Sequence, residues 1–126
     1  MREEVLNWWK QAKKDLRAAK NSLRSGDYEW ASFQAHQAVE KALKSLFLRK
    51  RRTLPLTHDL ITIGKKLGMG KELMKSLKHL NPEYVVSRYP NAANAVPYEL
   101  YDEERAKENV RHAEKVIKWI ERCLNL

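Results

Sequence analysis

Little in this sequence would suit a secreted, disulfide-braced or membrane-embedded protein. Cysteine occurs once, at Cys123, so an internal disulfide is excluded, which fits a reducing cytoplasm. Four glycines and four prolines in 126 residues leave little material for tight turns. No run approaches the roughly 18 uncharged apolar residues that a membrane span requires, so no membrane association is expected. The opening Met1-Arg2-Glu3-Glu4 has neither an apolar core nor a small-residue cleavage site, so no secretory signal is expected. No segment alternates apolar and polar residues as a half-buried strand does. What these absences leave is a single all-α domain over residues 1–126, soluble and cytoplasmic.

Apolar residues are plentiful, at 43% of the chain, and they follow the helical period. A first helix, about Glu3 to Arg24, carries Val5, Trp8, Trp9, Ala12, Leu16, Ala19 and Leu23 on one face. Gly26 is a plausible stop and Asp27 an N-cap for the next helix, so the chain should return antiparallel. The second helix, about Tyr28 to Lys50, has an Ala-rich face of Tyr28, Ala31, Ala35, Ala38, Val39, Ala42, Leu46 and Phe47. Trp30, Phe33 and Leu48 lie off that face, which hints at a second partner such as another subunit. Pro55 breaks the pattern. Two short helices, His58 to Leu67 and Lys71 to Leu80, flank Gly68-Met69-Gly70. Glu83 to Pro97 reads as the least regular stretch, and a long loop in a small domain is often functional. Asp102 caps a final helix with Ala106, Val110, Ala113, Ile117, Ile120 and Leu124 inward. The expected architecture is an antiparallel up-and-down bundle of three long helices plus two short crossover helices.

Charge points to polyanions. Lys and Arg number 25 against 16 Asp and Glu, a net charge of +9, which suits nucleic acid, nucleotide phosphates or an acidic protein. Lys13, Arg17, Lys20 and Arg24 recur opposite the buried stripe of the first helix, and Lys44, Arg49, Lys50, Arg51 and Arg52 cluster where the second ends. Dipole complementarity explains part of that cluster, and phosphate binding is the other use for it. Gln34, Gln37, Glu40 and Lys41 form a polar strip beside His36. Tyr84, Tyr98 and Tyr101 gather near Arg88 and Tyr89, whose guanidinium and ring suit a phosphate and a base. His36, His58, His79 and His112 are spread along the chain without ligand-spaced cysteines or carboxylate clusters, so no metal site is expected. Gly68-Met69-Gly70-Lys71 lacks the length and preceding strand of a phosphate loop, and no cofactor is expected.

Several segments, in order, resemble one family. Phe33-Gln34-Ala35-His36-Gln37-Ala38-Val39-Glu40-Lys41-Ala42-Leu43-Lys44 resembles the central helix of HEPN domains. Trp9, Ala12, Asp15, Leu16 and Ala19 resemble the opening helix, Thr57-His58-Asp59-Leu60 the start of the third, and Arg88-Tyr89-Pro90 the loop before the last. The resemblance implies a bundle that commonly forms a homodimer and is often encoded beside a minimal nucleotidyltransferase, sometimes as toxin and antitoxin. It also implies a metal-independent ribonuclease that uses an Arg and a His four to six residues apart. Arg88 fits the loop, yet Ala93, Asn94 and Ala95 stand where the histidine would fall. The spacing recurs in Arg105 with His112 and in Arg52 with His58. Arg105 and His112 share a helix face, which makes them the catalytic candidates. Pro55 interrupts the other pair, and Thr57-His58-Asp59 also reads as a capping turn. Candidate nucleotide- or RNA-binding residues are Arg88, Tyr89, His36, Lys41, Arg49, Arg51, Arg52 and His58. Two expectations stand: a domain that binds nucleotide or RNA, whose sharper form is an RNA-cleaving toxin paired with a nucleotidyltransferase antitoxin, and a non-catalytic helical module that binds such a partner.

Overall fold

The computed structural model describes residues 1–126 throughout. Helix α1 (Glu3–Ser25) buries Val5, Trp9, Ala12, Leu16 and Ala19, with Trp8 and Leu23 against the edge of the core. At Gly26 the backbone turns left-handed, with φ +83°, a conformation that a Cβ would strain. Its N–H bonds back to the Leu23 carbonyl and that of Asp27 to Ser22, satisfying carbonyls the helix end leaves free. Asp27 holds the N-cap position of α2 (Tyr28–Arg51) without a side-chain bond. The two helices run antiparallel, tied by Arg2 to the Leu48 carbonyl, Asp15 to Lys41 and Ser22 to Gln34.

Helix α2 is the axis of the bundle. Ala31, Ala35, Ala38 and Ala42 are fully buried, and their small side chains let neighbouring backbones approach closely. Leu43, Leu46, Phe47 and Leu48 fill the core further along. Leu48, expected off the main face and free for a partner, is instead enclosed within this chain. Phe33 is half-buried, and only Trp30 of the three stays exposed. The second partner of α2 is thus largely intramolecular, because α1, α8, α3 and α5 all pack on it.

The crossover helices α3 (Leu60–Lys66) and α4 (Lys71–Leu80) fall where expected, but α3 begins after His58. Asp59 caps it, accepting from the Thr62 N–H, while the Thr57 hydroxyl accepts from the Asp59 N–H at 3.0 Å. Asn81 links this cap to the far end of α4, donating to Asp59 at 2.7 Å and accepting from the Leu60 N–H at 3.0 Å. A Cβ on Gly64 would collide with Leu77 Cδ1 and stand 2.9 Å from Met74 Sδ, so glycine lets α3 and α4 close together.

The stretch from Glu83 to Pro97, expected to be irregular, holds the single turns α5 (Glu83–Val86) and α6 (Pro90–Ala93) and opens a third, α7 (Pro97–Leu100). Pro90 and Pro97 stand in first turns, where the missing N–H costs nothing and the fixed φ helps. Asp102 then accepts from the Arg105 N–H at 2.8 Å to open α8 (Glu103–Cys123). The inward stripe of α8 is the expected one, joined by Asn109 and Val116. Buried Asn109 donates to Ser32 Oγ at 2.8 Å, fixing α8 on α2. No helix is long and apolar enough to cross a membrane.

Candidate functional site

The middle of α2 carries ionisable groups inside the bundle wall. Glu40 is buried, and its Oε2 accepts from Lys44 Nζ at 2.8 Å and lies 2.8 Å from His58 Nδ1. Burial by itself would raise this carboxyl, but the bonds from Lys44 and His58 outweigh it and hold Glu40 below its ordinary value. An ionised carboxylate only accepts, so Nδ1 of His58 must carry the proton in their shared bond. In the neutral ring the lone pair is therefore on Nε2. The His58 side chain is 57% exposed, unlike its carboxylate partner. The Thr57–Asp59–Asn81 cap network fixes the backbone on which His58 stands.

Tyr84, on α5, gathers the remaining groups. His58 stacks on it with ring centroids 4.6 Å apart and planes 18° from parallel. His36 lies beside the same ring at 5.4 Å, and Phe33 at 6.3 Å. The Arg88 guanidinium sits 4.6 Å from the Tyr84 ring, 4.4 Å from Phe33 and 4.8 Å from Tyr89. Its Nε donates to the Tyr84 carbonyl at 3.0 Å, and it forms no ion pair. Tyr89 is half exposed. His36 is fully buried, and burial is the main cause that lowers its pKa to about 4, against the opposing pull of Glu40. Two buried atoms here lack partners, His36 Nε2 and Glu40 Oε1.

Of the residues singled out in the sequence, Arg88, Tyr89, His36 and His58 thus come together. The others serve elsewhere. Lys41 pairs with Asp15 on α1. Arg49 donates to the Leu124 carbonyl at 2.7 Å, and Arg51 to the Lys66 carbonyl at 2.6 Å. Arg52 ends α2 in a left-handed conformation, with φ 58°. Arg105 pairs with buried Glu83 at 2.9 Å and lies over the Tyr101 ring at 4.0 Å. Its own desolvation is outweighed by Glu83, so its pKa rises, while burial and then Glu83 raise Tyr101. His112, on the same helix, has separate partners: Ser76 Oγ at 2.9 Å and the His79 ring at 4.3 Å. Burial, followed by the neighbouring His79, lowers its pKa. His79 and His112, far apart along the chain, are neighbours in space.

Glu40 and Tyr84 organise the cluster; the sequence placed them in a polar strip and a tyrosine group but not among the candidate binding residues. Glu40 follows His36 by four residues and precedes Lys44 by four, so three ionisable groups share one helical face, a pattern legible in the sequence. The largest surface depression, about 430 Å³, lies away from them on α1 between Lys10, Lys13, Lys14, Leu16, Arg17 and Lys20. All six come from one helix, so it is an open furrow between basic stems. Lys13 and Lys20 pair there with Glu121 and Glu114 of α8.

Comparison with known proteins gives a consistent family. The HEPN domain family matches residues 5–123. A Methanocaldococcus jannaschii protein named "Putative toxin MJ1304" is 28% identical over 124 residues, covering 88% of this chain and 82% of that protein. The crystal structure of TT1696 from Thermus thermophilus is similar with a TM-score of 0.89 and 32% identity, over 96% of this chain and 98% of that one. TM0613, a HEPN domain protein from Thermotoga maritima, is similar with a TM-score of 0.77 and 29% identity, over 94% and 98% of the two chains. ST0689, an archaeal HEPN homologue, has a TM-score of 0.75 and 29% identity, over 96% and 97%.

Proposed function

The chain belongs to the HEPN domain family, and on that premise we propose that it is a toxin-type protein that binds RNA at the Tyr84 cluster and cleaves it without metal. The observation that carries the proposal is one juxtaposition. An exposed imidazole, backed by a buried carboxylate, and an arginine with no ion-pair partner each stand 4.6 Å from the same tyrosine ring. Unpaired, Arg88 has nitrogens to offer a phosphate, and its rings keep the fork flat and oriented. Half-exposed Tyr89 offers a face to a base. The toxin role draws support from the similar Methanocaldococcus protein.

Chemically, His58 Nε2 takes the proton from a ribose 2′-hydroxyl while Nδ1 stays bonded to Glu40. The 2′-oxygen bonds to the adjacent phosphorus, the bond to the 5′-oxygen breaks, and that oxygen takes a proton from a water, whose hydroxide in turn takes the proton held on His58 Nε2 and restores the neutral ring. The products are a 2′,3′-cyclic phosphate and a 5′-hydroxyl. Arg88 holds the non-bridging oxygens as charge builds on them. Glu40 sets the tautomer and stabilises the imidazolium, as a buried carboxylate does behind a catalytic histidine. Arg105 and His112 have structural partners of their own, so the acid–base role falls to His58.

A second reading, a non-catalytic module for a minimal nucleotidyltransferase, draws on exposed apolar residues. Trp30, Val85, Tyr89 and Tyr98 are exposed, and Trp30 reaches the cluster through an edge contact with Phe33 at 6.2 Å. The same face would serve a homodimer in the cytoplasm. The deciding experiment incubates the separated protein with single-stranded RNA and a chelator. Cleavage that falls about 10²–10⁴-fold in His58→Ala but persists in His112→Ala is the expected result. Wild-type-like cleavage by His58→Ala would remove that residue from the mechanism. An inert wild type that co-elutes with a nucleotidyltransferase would favour the second reading.

A further inference from the structure

Helices α4 and α8 bring together three side chains that share no residue with the Tyr84 cluster. One ligand atom each from His79, Glu108 and His112 lies within 4.8 Å of the others. Glu108 and His112 are four residues apart on α8 and so project from one face. His79 reaches across from the last turn of α4, its ring 4.3 Å from that of His112. From this geometry we infer that His79, Glu108 and His112 form a Zn²⁺ site that clamps α4 to α8.

Two further contacts point the same way. His112 Nδ1 lies 2.9 Å from the hydroxyl of fully buried Ser76, so the ring is oriented from behind. With Nδ1–H donating to Ser76, the lone pair is on Nε2, the nitrogen that faces Glu108 Oε2 at 3.9 Å. Such a hydrogen bond to the remote nitrogen is the usual companion of a metal-ligating imidazole. Arg111 engages the other carboxylate oxygen, Oε1, and leaves Oε2 turned to the imidazole.

Two imidazole nitrogens and one carboxylate oxygen suit Zn²⁺ better than the all-oxygen shells of Ca²⁺ or Mg²⁺. Zn–N bonds of about 2.0–2.1 Å place tetrahedral ligands roughly 3.3 Å apart, so the three atoms must draw in from their present spacing. His79 is exposed and can swing to do so. Three protein ligands leave a fourth position at the surface, where water completes the tetrahedron.

The test is calorimetric titration of the full-length, tag-free protein with ZnCl₂, repeated with His79→Ala, Glu108→Gln and Ser76→Ala. One Zn²⁺ per chain is expected, with affinity lowered at least about tenfold in each variant. His79 is exposed, so His79→Ala should fold normally even if Ser76→Ala does not. Absence of saturable binding, or binding by His79→Ala that matches wild type, overturns the site. Cobalt substitution gives a second readout: the strong visible bands of four-coordinate Co²⁺ support it, and the weak spectrum of the hexaaqua ion contradicts it. RNA cleavage in chelator should be unchanged in His79→Ala, which keeps this test separate from that of the Tyr84 cluster.

Discussion

Lowering the pH from about 7.5 to about 4 should cost this fold about 3 kcal/mol through a single side chain, His36. The ring is fully buried and its pKa is lowered from 6.5 to about 4, chiefly by burial. Glu40 pulls the other way but does not prevail, while His58, Arg88 and Lys41 oppose a second positive charge. Between these two values the unfolded chain binds a proton that the folded chain refuses. Stability is therefore fully present above about pH 6.5, declines as the pH falls, and stops declining on this account near pH 4. At about pH 5 roughly 2 kcal/mol should already be lost. Glu40 is also lowered, so its contribution is lost only below the ordinary carboxylate value of 4.5, later in the titration. The assay is urea denaturation across this range for wild type and His36→Leu, a variant that cannot ionise at the site. Wild type should show the slope and the leucine variant should lack it. Equal slopes would refute the assignment, as would an NMR titration of His36 in the folded protein with its midpoint near 6.5.

Three other perturbations have defined outcomes. Arg105→Ala leaves Glu83 charged and buried without its partner, so urea denaturation should show a loss of about 2–3 kcal/mol, with RNA cleavage per folded molecule unchanged. Gly64→Ala forces a Cβ against Leu77 and Met74, and calorimetry should show about 1–2 kcal/mol of destabilisation from the α3–α4 contact. Arg88→Lys keeps the charge but loses the flat contact with three rings, so fluorescence titration should find dinucleotide affinity about tenfold weaker.

The long helices were legible because their apolar residues repeat at three and four along 20 or more positions, and because Gly26 and Asp102 end or begin them in ways local chemistry dictates. The stretch from Glu83 to Pro97 was not, since single turns of four residues are too short to show a helical period, although Pro90 and Pro97 each sit in the first turn of a helix. For the site, local signals marked Arg88, Tyr89, His36 and His58, the first pair by residue type and the histidines by their surroundings. No sequence spacing could bring His58 to Glu40, because they lie 18 residues apart and meet only through the turn that Asp59 and Asn81 cap. Basic residues were easy to count and harder to place. Arg49 and Arg51, conspicuous as a run, donate to backbone carbonyls, and Arg51 lies over a single ring, Phe47; Arg88, isolated in the sequence, also donates to a carbonyl but stands among three rings beside His58 and His36.

Where a nucleotide binds decides the matter most directly. A crystal structure of the protein with a non-cleavable dinucleotide should place a phosphate on Arg88, a base against Tyr89 and the ribose 2′-position within reach of His58 Nε2. A phosphate found instead in the basic furrow of α1, with the Tyr84 cluster empty, would contradict the assignment of function to that cluster.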